Sequence, residues 1–318
     1  MVGDGTKLRL GTRGSPLALA QAEETKRRLE AVHPDLAESG GVEIVVVKTT
    51  GDVEQKRRLA DIGGKGLFVK ELEDALQDGR VDAAVHSMKD VPTWLPEGLT
   101  LTAMLPRVDF RDAWFSEQAD SIAALPDGAT VGTASLRRQA QILAQRPDLK
   151  VVNFRGNLQT RLRKLHDGEV QATMLAMAGL ERMGMADQAR CALSPEELLP
   201  AVGQGAIGIE VRADDETTIA RLKAIDHGET TLRVTAERAC LDVLDGSCRT
   251  PIGVLAEYQD GGANIRLRAL VAAPDGTRMW RAERTGPASD ADAMARDAGG
   301  QIRAEAGETF FEELADYI

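Results

Sequence analysis

Short runs rich in Val, Ile and Ala alternate with stretches of helical periodicity up to about residue 225, which restricts the chain to an α/β architecture on largely parallel sheet. Strands are expected near residues 7–12, 42–48, 81–86, 129–133, 149–154, 170–176 and 206–212. After the first of them, Ser15-Pro16 supplies an N-cap followed by proline at the first helical position. Phe68, Leu72, Ala75 and Leu76 share one face at helical spacing and are expected in the core. Past about residue 228 the pattern changes to a helix over 229–243, three strand-like runs between 252 and 285 and a closing Ala-rich helix, as in a separate α+β domain. The Ala/Asp/Gly-rich stretch 287–300 reads as a solvated turn and helix, and no internal repeat is evident.

Several function classes are disfavoured at this level. The 318 residues, 43% hydrophobic, are enough to bury a large core in two or three domains. The opening MVGDGTKLRL lacks the apolar segment of a secretory signal, and no run approaches the roughly 20 apolar residues of a spanning helix. A cytoplasmic protein without a membrane partner is therefore expected. Cys191, Cys240 and Cys248 form no CxxC pair, and their odd number favours free thiols. A formal charge of −11 repels nucleic acid, and 3% aromatic residues offer little stacking surface, so no nucleic-acid partner is expected. His33, His86, His166 and His227 are scattered, with no HExxH, no Cys/His ligand spacing and no GxSxG elbow, so no metal is expected. At a strand end, His86 reads as structural.

Other segments point to a site. Lys89 and Asp90 follow a predicted strand in VHSMKDVP, where α/β sheets place their ligands, although Asp and Pro there also suit a plain turn. Gly63-Gly64-Lys65-Gly66 precedes a helix and reads either as an anion-binding loop or as a flexible one. It is no Walker A loop, because Leu59 stands where glycine is required and neither Ser nor Thr follows Lys65. Gly203-Gln204-Gly205-Ala206-Ile207-Gly208 matches GxGxxG but leads into a strand pattern, which fits a glycine-rich crossing between lobes and not a dinucleotide site. Arg13, Arg137, Arg138, Arg155, Arg161 and Arg182 fall mostly at strand-to-helix transitions. Forked guanidinium groups there suit a small polycarboxylate; any one of them could equally be a surface salt-bridge partner. Cys248 lies in the loop Asp245-Gly246-Ser247-Cys248 and by itself could be an idle thiol.

Taken together, LGTRGSPLALAQA, GGKGLFVKELE, VHSMKDVP, VGTASLRRQAQ, NFRGNLQTRL, AGLERMG, LPAVGQGAIGIE and GSCRTPIG resemble the porphobilinogen deaminase family along nearly the whole chain. The resemblance implies two lobes like those of periplasmic binding proteins plus a C-terminal α+β domain with a small antiparallel sheet. The first domain would take residues 1–105 and 206–225, the second 106–205 and the third 226–318. It further implies a transferase of tetrapyrrole synthesis, a monomer, that joins porphobilinogen molecules on a covalent dipyrromethane cofactor. Cys248 would hold that cofactor through a thioether, and Asp90 would be the catalytic carboxylate. Lys89, Thr133, Ser135, Arg137 and Arg138, with Asp90, would bind the cofactor. Arg13, Ser15, Arg155, Arg161, Arg182 and Lys65 would handle substrate and the growing chain. Asp61 stands where relatives often place a lysine, and Ser247 where a second glycine is common. Chain growth past one carboxylate calls for mobile loops, with 49–66 a candidate lid. The competing reading is a non-catalytic two-lobed sensor of a small carboxylate.

Overall fold

The structure, a computed structural model, describes residues 7–38, 40–49, 69–246 and 250–317. Contacts gather them into two compact units. One comprises the segments up to residue 49, 69–108 and 206–231; the other comprises 109–205 and 232–317.

The first unit is built on β1 (Leu8–Arg13), β2 (Val42–Val47), β3 (Ala83–Ser87), β4 (Leu99–Met104) and β10 (Ile207–Arg212) in the order β2-β1-β3-β10-β4. β1 pairs in parallel with β2 and β3, whereas β10 runs antiparallel to β3 and β4. Leu8, Leu10, Val85, Ile207 and Ile209 form one core with Leu29 of the helix Pro16–Val32 and Leu222 of the helix Glu216–Lys223. A second cluster packs Val47, Val81 and Ala84 against Leu72, Ala75 and Leu76 of the helix Lys70–Gln77. The helical face expected for those last three is thus the buried one; Phe68 lies outside the described residues.

The second unit holds β5 (Asp112–Ser116), β6 (Thr130–Gly132), β7 (Lys150–Val152), β8 (Ala172–Ala176) and β9 (Cys191–Ala192) in the order β7-β6-β8-β5-β9. Here β6 pairs in parallel with β7 and β8, and β5 runs antiparallel to β8 and β9. The two sheets therefore share one connectivity. In each, the reversed strand next to the edge is the first one formed after the chain leaves the other unit. No repeat shows in the sequence, because equivalent strands need only equivalent burial, which many residue combinations satisfy.

β4, β5 and β9 were not expected from the sequence. β5 is buried at all five positions and starts with Asp112, so it lacks period-two alternation and its acidic head reads as a turn. β9 has two residues, too few for any periodic signal.

β11 (Ile252–Gln259), β12 (Asn264–Ala272) and β13 (Met279–Pro287) form the expected three-stranded antiparallel sheet. Ala236 and Cys240 of the helix Gly228–Val243 pack against it with Ala295, Ala298 and Ile302 of the helix Ala291–Ala306. The stretch 287–300 is consequently half core: Ala291, Ala295, Ala298 and Gly299 are buried. A Cβ at Gly299 would come within 3.0 Å of Val243 Cβ, so small residues here let the two helices approach. At the turn between β12 and β13, Pro274 accepts a hydrogen bond from Gln139 Nε2 (3.0 Å), which ties this sheet to the helix Leu136–Gln145. No helix among the described residues is long and apolar enough to cross a membrane.

Candidate active site

In the first unit, β1 and β3 are parallel neighbours with Leu10 opposite Ala83 and Gly11 opposite Ala84. The residues after each strand thus leave the sheet at one carboxyl edge, the side on which α/β sheets bind ligands. Arg13 ends β1, and Ser15 caps the following helix, its Oγ accepting the Ala18 N–H at 3.2 Å. β3 passes directly into the 3-10 turn Met88–Asp90, which carries Lys89 and Asp90. Asp90 is half-buried, and among the described residues no hydrogen bond or ion pair engages its carboxylate. Behind the turn, the buried His86 Nε2 lies 2.9 Å from Oε2 of the buried Glu210, so His86 is structural as expected. Glu73 shares this buried region. Burial, reinforced by the charge of Glu210 and opposed by His86, pushes its carboxyl up to about 7.

In the second unit, Gly132 of β6 lies opposite Val152 of β7 and Thr173 of β8, so the three parallel strands direct their carboxyl ends to one side of the sheet, with β8 running on to Ala176. From β6 follow Thr133, Ser135, Arg137 and Arg138. Thr133 Oγ1 accepts the Ser135 N–H at 3.1 Å, and Ser135 caps the helix Leu136–Gln145 by accepting from the Arg138 N–H. Arg137 and Arg138 are only 4% and 6% exposed, because both converge on Asp112, which is fully buried. Their Nη2 groups donate to its two oxygens at 2.8 and 2.6 Å, and Gln204 Nε2 adds a third bond at 3.0 Å. Arg137 Nη1 also reaches the Leu199 carbonyl (2.7 Å) and Arg138 Nη1 the Met174 carbonyl (2.8 Å). Burial alone would raise the Asp112 carboxyl, but the two guanidinium charges outweigh it and hold it far below the usual carboxylate range.

Arg155 follows β7, and Arg161 sits on the helix Leu158–His166, where its Nε donates to the Gly156 carbonyl at 2.9 Å. Burial, followed by repulsion from Arg138 and Arg155, pushes Arg161 down to about 10. Arg182 closes the helix Met177–Arg182 after β8 and donates from Nη2 to the Gly205 carbonyl at 3.1 Å. The glycine-rich segment leads into β10 and not into a helix, which removes the dinucleotide reading. Gly203 and Gly205 have φ of 66° and 91°, conformations that glycine accommodates without strain.

The structure brings Arg13, Ser15, Lys89 and Asp90 to one sheet edge, and Thr133, Ser135, Arg137, Arg138 and Arg155 to another, with Arg161 and Arg182 on the helices that follow. Lys65, Asp61, Ser247, Cys248 and residues 50–66 of the candidate lid lie outside the described residues. Sequence reasoning missed Asp112, Gln204, Glu73 and Glu210. The available signal for Asp112 was an acidic residue at the head of an apolar run, which is indistinguishable from turn chemistry until β5 is known to be central.

Fold and edges together define a class: a two-lobed α/β protein with an available carboxylate at one sheet edge, clustered guanidinium groups at another, and an appended α+β domain. The family model described as porphobilinogen deaminase, dipyromethane cofactor binding domain, matches residues 8–220, and that of the porphobilinogen deaminase C-terminal domain matches residues 231–304. The chain belongs to the porphobilinogen deaminase family. It is 57% identical over 310 residues to the chloroplastic porphobilinogen deaminase of Oryza sativa subsp. japonica, covering 96% of this chain and 86% of that protein. It is 56% identical over 305 residues to porphobilinogen deaminase of Paracoccus denitrificans, covering 96% of each. Among solved structures, a periplasmic substrate-binding protein of an ABC transporter from Coxiella burnetii superposes with TM-score 0.42 at 15% identity, covering 70% of this chain and 94% of that one.

The family's cofactor is an acid-bearing dipyrromethane, and the second unit fits such a group. Among the described residues, Nε of Arg137 and Nε of Arg138 are buried with no hydrogen-bond partner. Among the described residues, Arg161 meets the like charges of Arg138 and Arg155. A positively charged cluster of this kind is relieved by carboxylates.

Proposed function

We propose that this chain is a hydroxymethylbilane synthase: it joins four porphobilinogen molecules stepwise with loss of ammonia and releases the linear tetrapyrrole hydroxymethylbilane by hydrolysis. Asp90 is the catalytic carboxylate and Cys248 the thioether anchor of the dipyrromethane. Lys89, Thr133, Ser135, Arg137 and Arg138 hold cofactor carboxylates, and Arg13, Ser15, Lys65, Arg155, Arg161 and Arg182 receive substrate and the lengthening chain. The division into three domains with boundaries near 105, 205 and 225 belongs to the same proposal, as does a cytoplasmic monomer that binds no nucleic acid. The relatives of Oryza sativa and Pisum sativum are named as chloroplastic.

The observation that carries the assignment of Asp90 is its carboxylate, half-buried on a one-turn support at the ligand edge of β3 and engaged by no other described residue. Porphobilinogen bears an acetate, a propionate and an aminomethyl group. Loss of ammonia leaves an electron-poor, positively charged pyrrole, which an adjacent carboxylate stabilises. At about 4 Å and an effective dielectric of about 20 the attraction is about 4 kcal/mol, on the order of a thousandfold in rate. Asp90 also accepts and returns the protons exchanged at each addition. When bound, the dipyrromethane would supply the free pyrrole α-carbon to which the first incoming ring is joined, each later ring joining the terminal pyrrole of the lengthening chain. The guanidinium groups match the two carboxylates that every added ring brings. Asp90→Asn, incubated with porphobilinogen, should keep the two-pyrrole adduct in its intact mass while turnover falls about a thousandfold; near-normal turnover would overturn the role.

A further inference from the structure

We propose that Met88 is the positioning residue of the Asp90 turn, seated on Gly208 of the returning strand β10, so that β10 fixes where the Asp90 carboxylate stands. The inference rests on the reading of Asp90 as the catalytic carboxylate. It also gives Gly208, the last glycine of the GxGxxG segment, a role that the dinucleotide reading cannot.

Met88 is the first residue of the turn and lies two positions before Asp90. Its backbone is pinned at both ends: the N–H donates to the Ala206 carbonyl at 3.0 Å, and its carbonyl accepts the Val91 N–H at 3.2 Å, closing the turn. Its side chain is 1% exposed. A Cβ added to Gly208 would fall 2.0 Å from Met88 Sδ, 3.0 Å from Met88 Cγ and 3.4 Å from Leu101 Cδ2. Any side chain at 208 would therefore force the Met88 side chain to move. Gly203 and Gly205 differ, since their positive φ values give them a backbone reason, whereas Gly208 is absent from the positive-φ residues.

The antiparallel register explains why this contact belongs to the turn. Gly208 pairs with His86, and Glu210 with Ala84. With side chains alternating at period two, Met88 and His86 point to the face of the sheet shared by Gly208 and Glu210. His86 is held there by Glu210 at 2.9 Å, and Met88 continues the same row over Gly208. From the opposite face, Gln21 Nε2 of the helix Pro16–Val32 donates to Ser87 Oγ at 2.8 Å. The residues leading to Asp90 are thus gripped alternately by β10 and by that helix. The Asp90 carboxylate has no such grip among the described residues, so its place depends on the backbone that Met88 anchors.

The test uses the full-length protein carrying its cofactor. Gly208→Ala pushes the Met88 side chain, and with it the turn, off the strand. A displacement of about 1 Å at a catalytic group is worth on the order of a hundredfold, so kcat should fall by about that factor with KM within about twofold and the two-pyrrole adduct still present in the intact mass. The double variant Gly208→Ala with Met88→Ala, in which two methyl groups share the space of one thioether, should regain at least about tenfold in kcat. Met88→Ala alone, which removes the anchor without filling Gly208, should lower kcat and leave KM and the adduct unchanged; this variant decides the matter if Gly208→Ala does not fold. In an Asp90→Asn background Gly208→Ala should cause no further loss, because there is no carboxylate left to misplace. Wild-type kcat in Gly208→Ala or in Met88→Ala, or a double variant no better than the single, would overturn the proposal. Near-normal turnover in Asp90→Asn would instead sink the underlying reading.

Discussion

Replacing Glu73 by Gln should raise the stability of the first unit at alkaline pH and flatten its pH dependence. Glu73 lies on the helix Lys70–Gln77, 6% exposed, facing Glu210 of β10 and His86 of β3, with Asp74 beside it on its own helix. Burial and the charge of Glu210 raise its carboxyl from 4.5 to about 7, with His86 opposing. A carboxyl raised on folding binds its proton more tightly in the native state. Its contribution is therefore complete below the unfolded value and is lost as pH rises through the folded one. The whole shift corresponds to about 3 kcal/mol, most of which is lost between about pH 5 and about pH 8. Glutamine resembles the protonated form and removes this loss. Urea unfolding at the two pH values should show the wild-type midpoint falling by on the order of 1 M relative to Glu73→Gln, given typical slopes of about 1–3 kcal/mol per molar for a domain of this size. Parallel midpoints for the two proteins across that range would refute the argument that Glu73 is protonated when folded.

Two further outcomes are expected. Asp112→Ala leaves Arg137 and Arg138 buried without their shared carboxylate and should cost about 3–5 kcal/mol in the second unit; unfolding by heat or urea at an unchanged midpoint would show that the other contacts of the two arginines suffice. Cys248→Ala should abolish the two-pyrrole increment in the intact mass, and an adduct retained in that variant would exclude the anchor.

How far the sequence alone reached can be judged from particular elements. The N-cap at Ser15, the buried row Leu72, Ala75 and Leu76, the strand Ile207–Arg212 and the three-stranded C-terminal sheet were all legible, because each depends on side chains close to one another in the chain. The candidate residues at strand ends were legible for the same reason: a residue just past the end of a parallel strand lies at its carboxyl edge. β5 and β9 were not, since a central strand buried on both sides and a two-residue edge strand carry no alternation.

Residue types and their order fixed an α/β chain with one carboxylate in VHSMKDVP and an arginine set after the strands. Which groups those side chains meet was decided only by tertiary structure. Asp112 lies 25 residues before Arg137 and 26 before Arg138, and it reaches them because β5 enters its sheet reversed beside β8. Met88 meets Gly208 because β10, formed after the whole second lobe segment, returns next to β3. Such partners are set by sheet order and register, which are properties of the assembled fold: the hydrophobic pattern of one strand determines which face it buries but not which neighbour it pairs with.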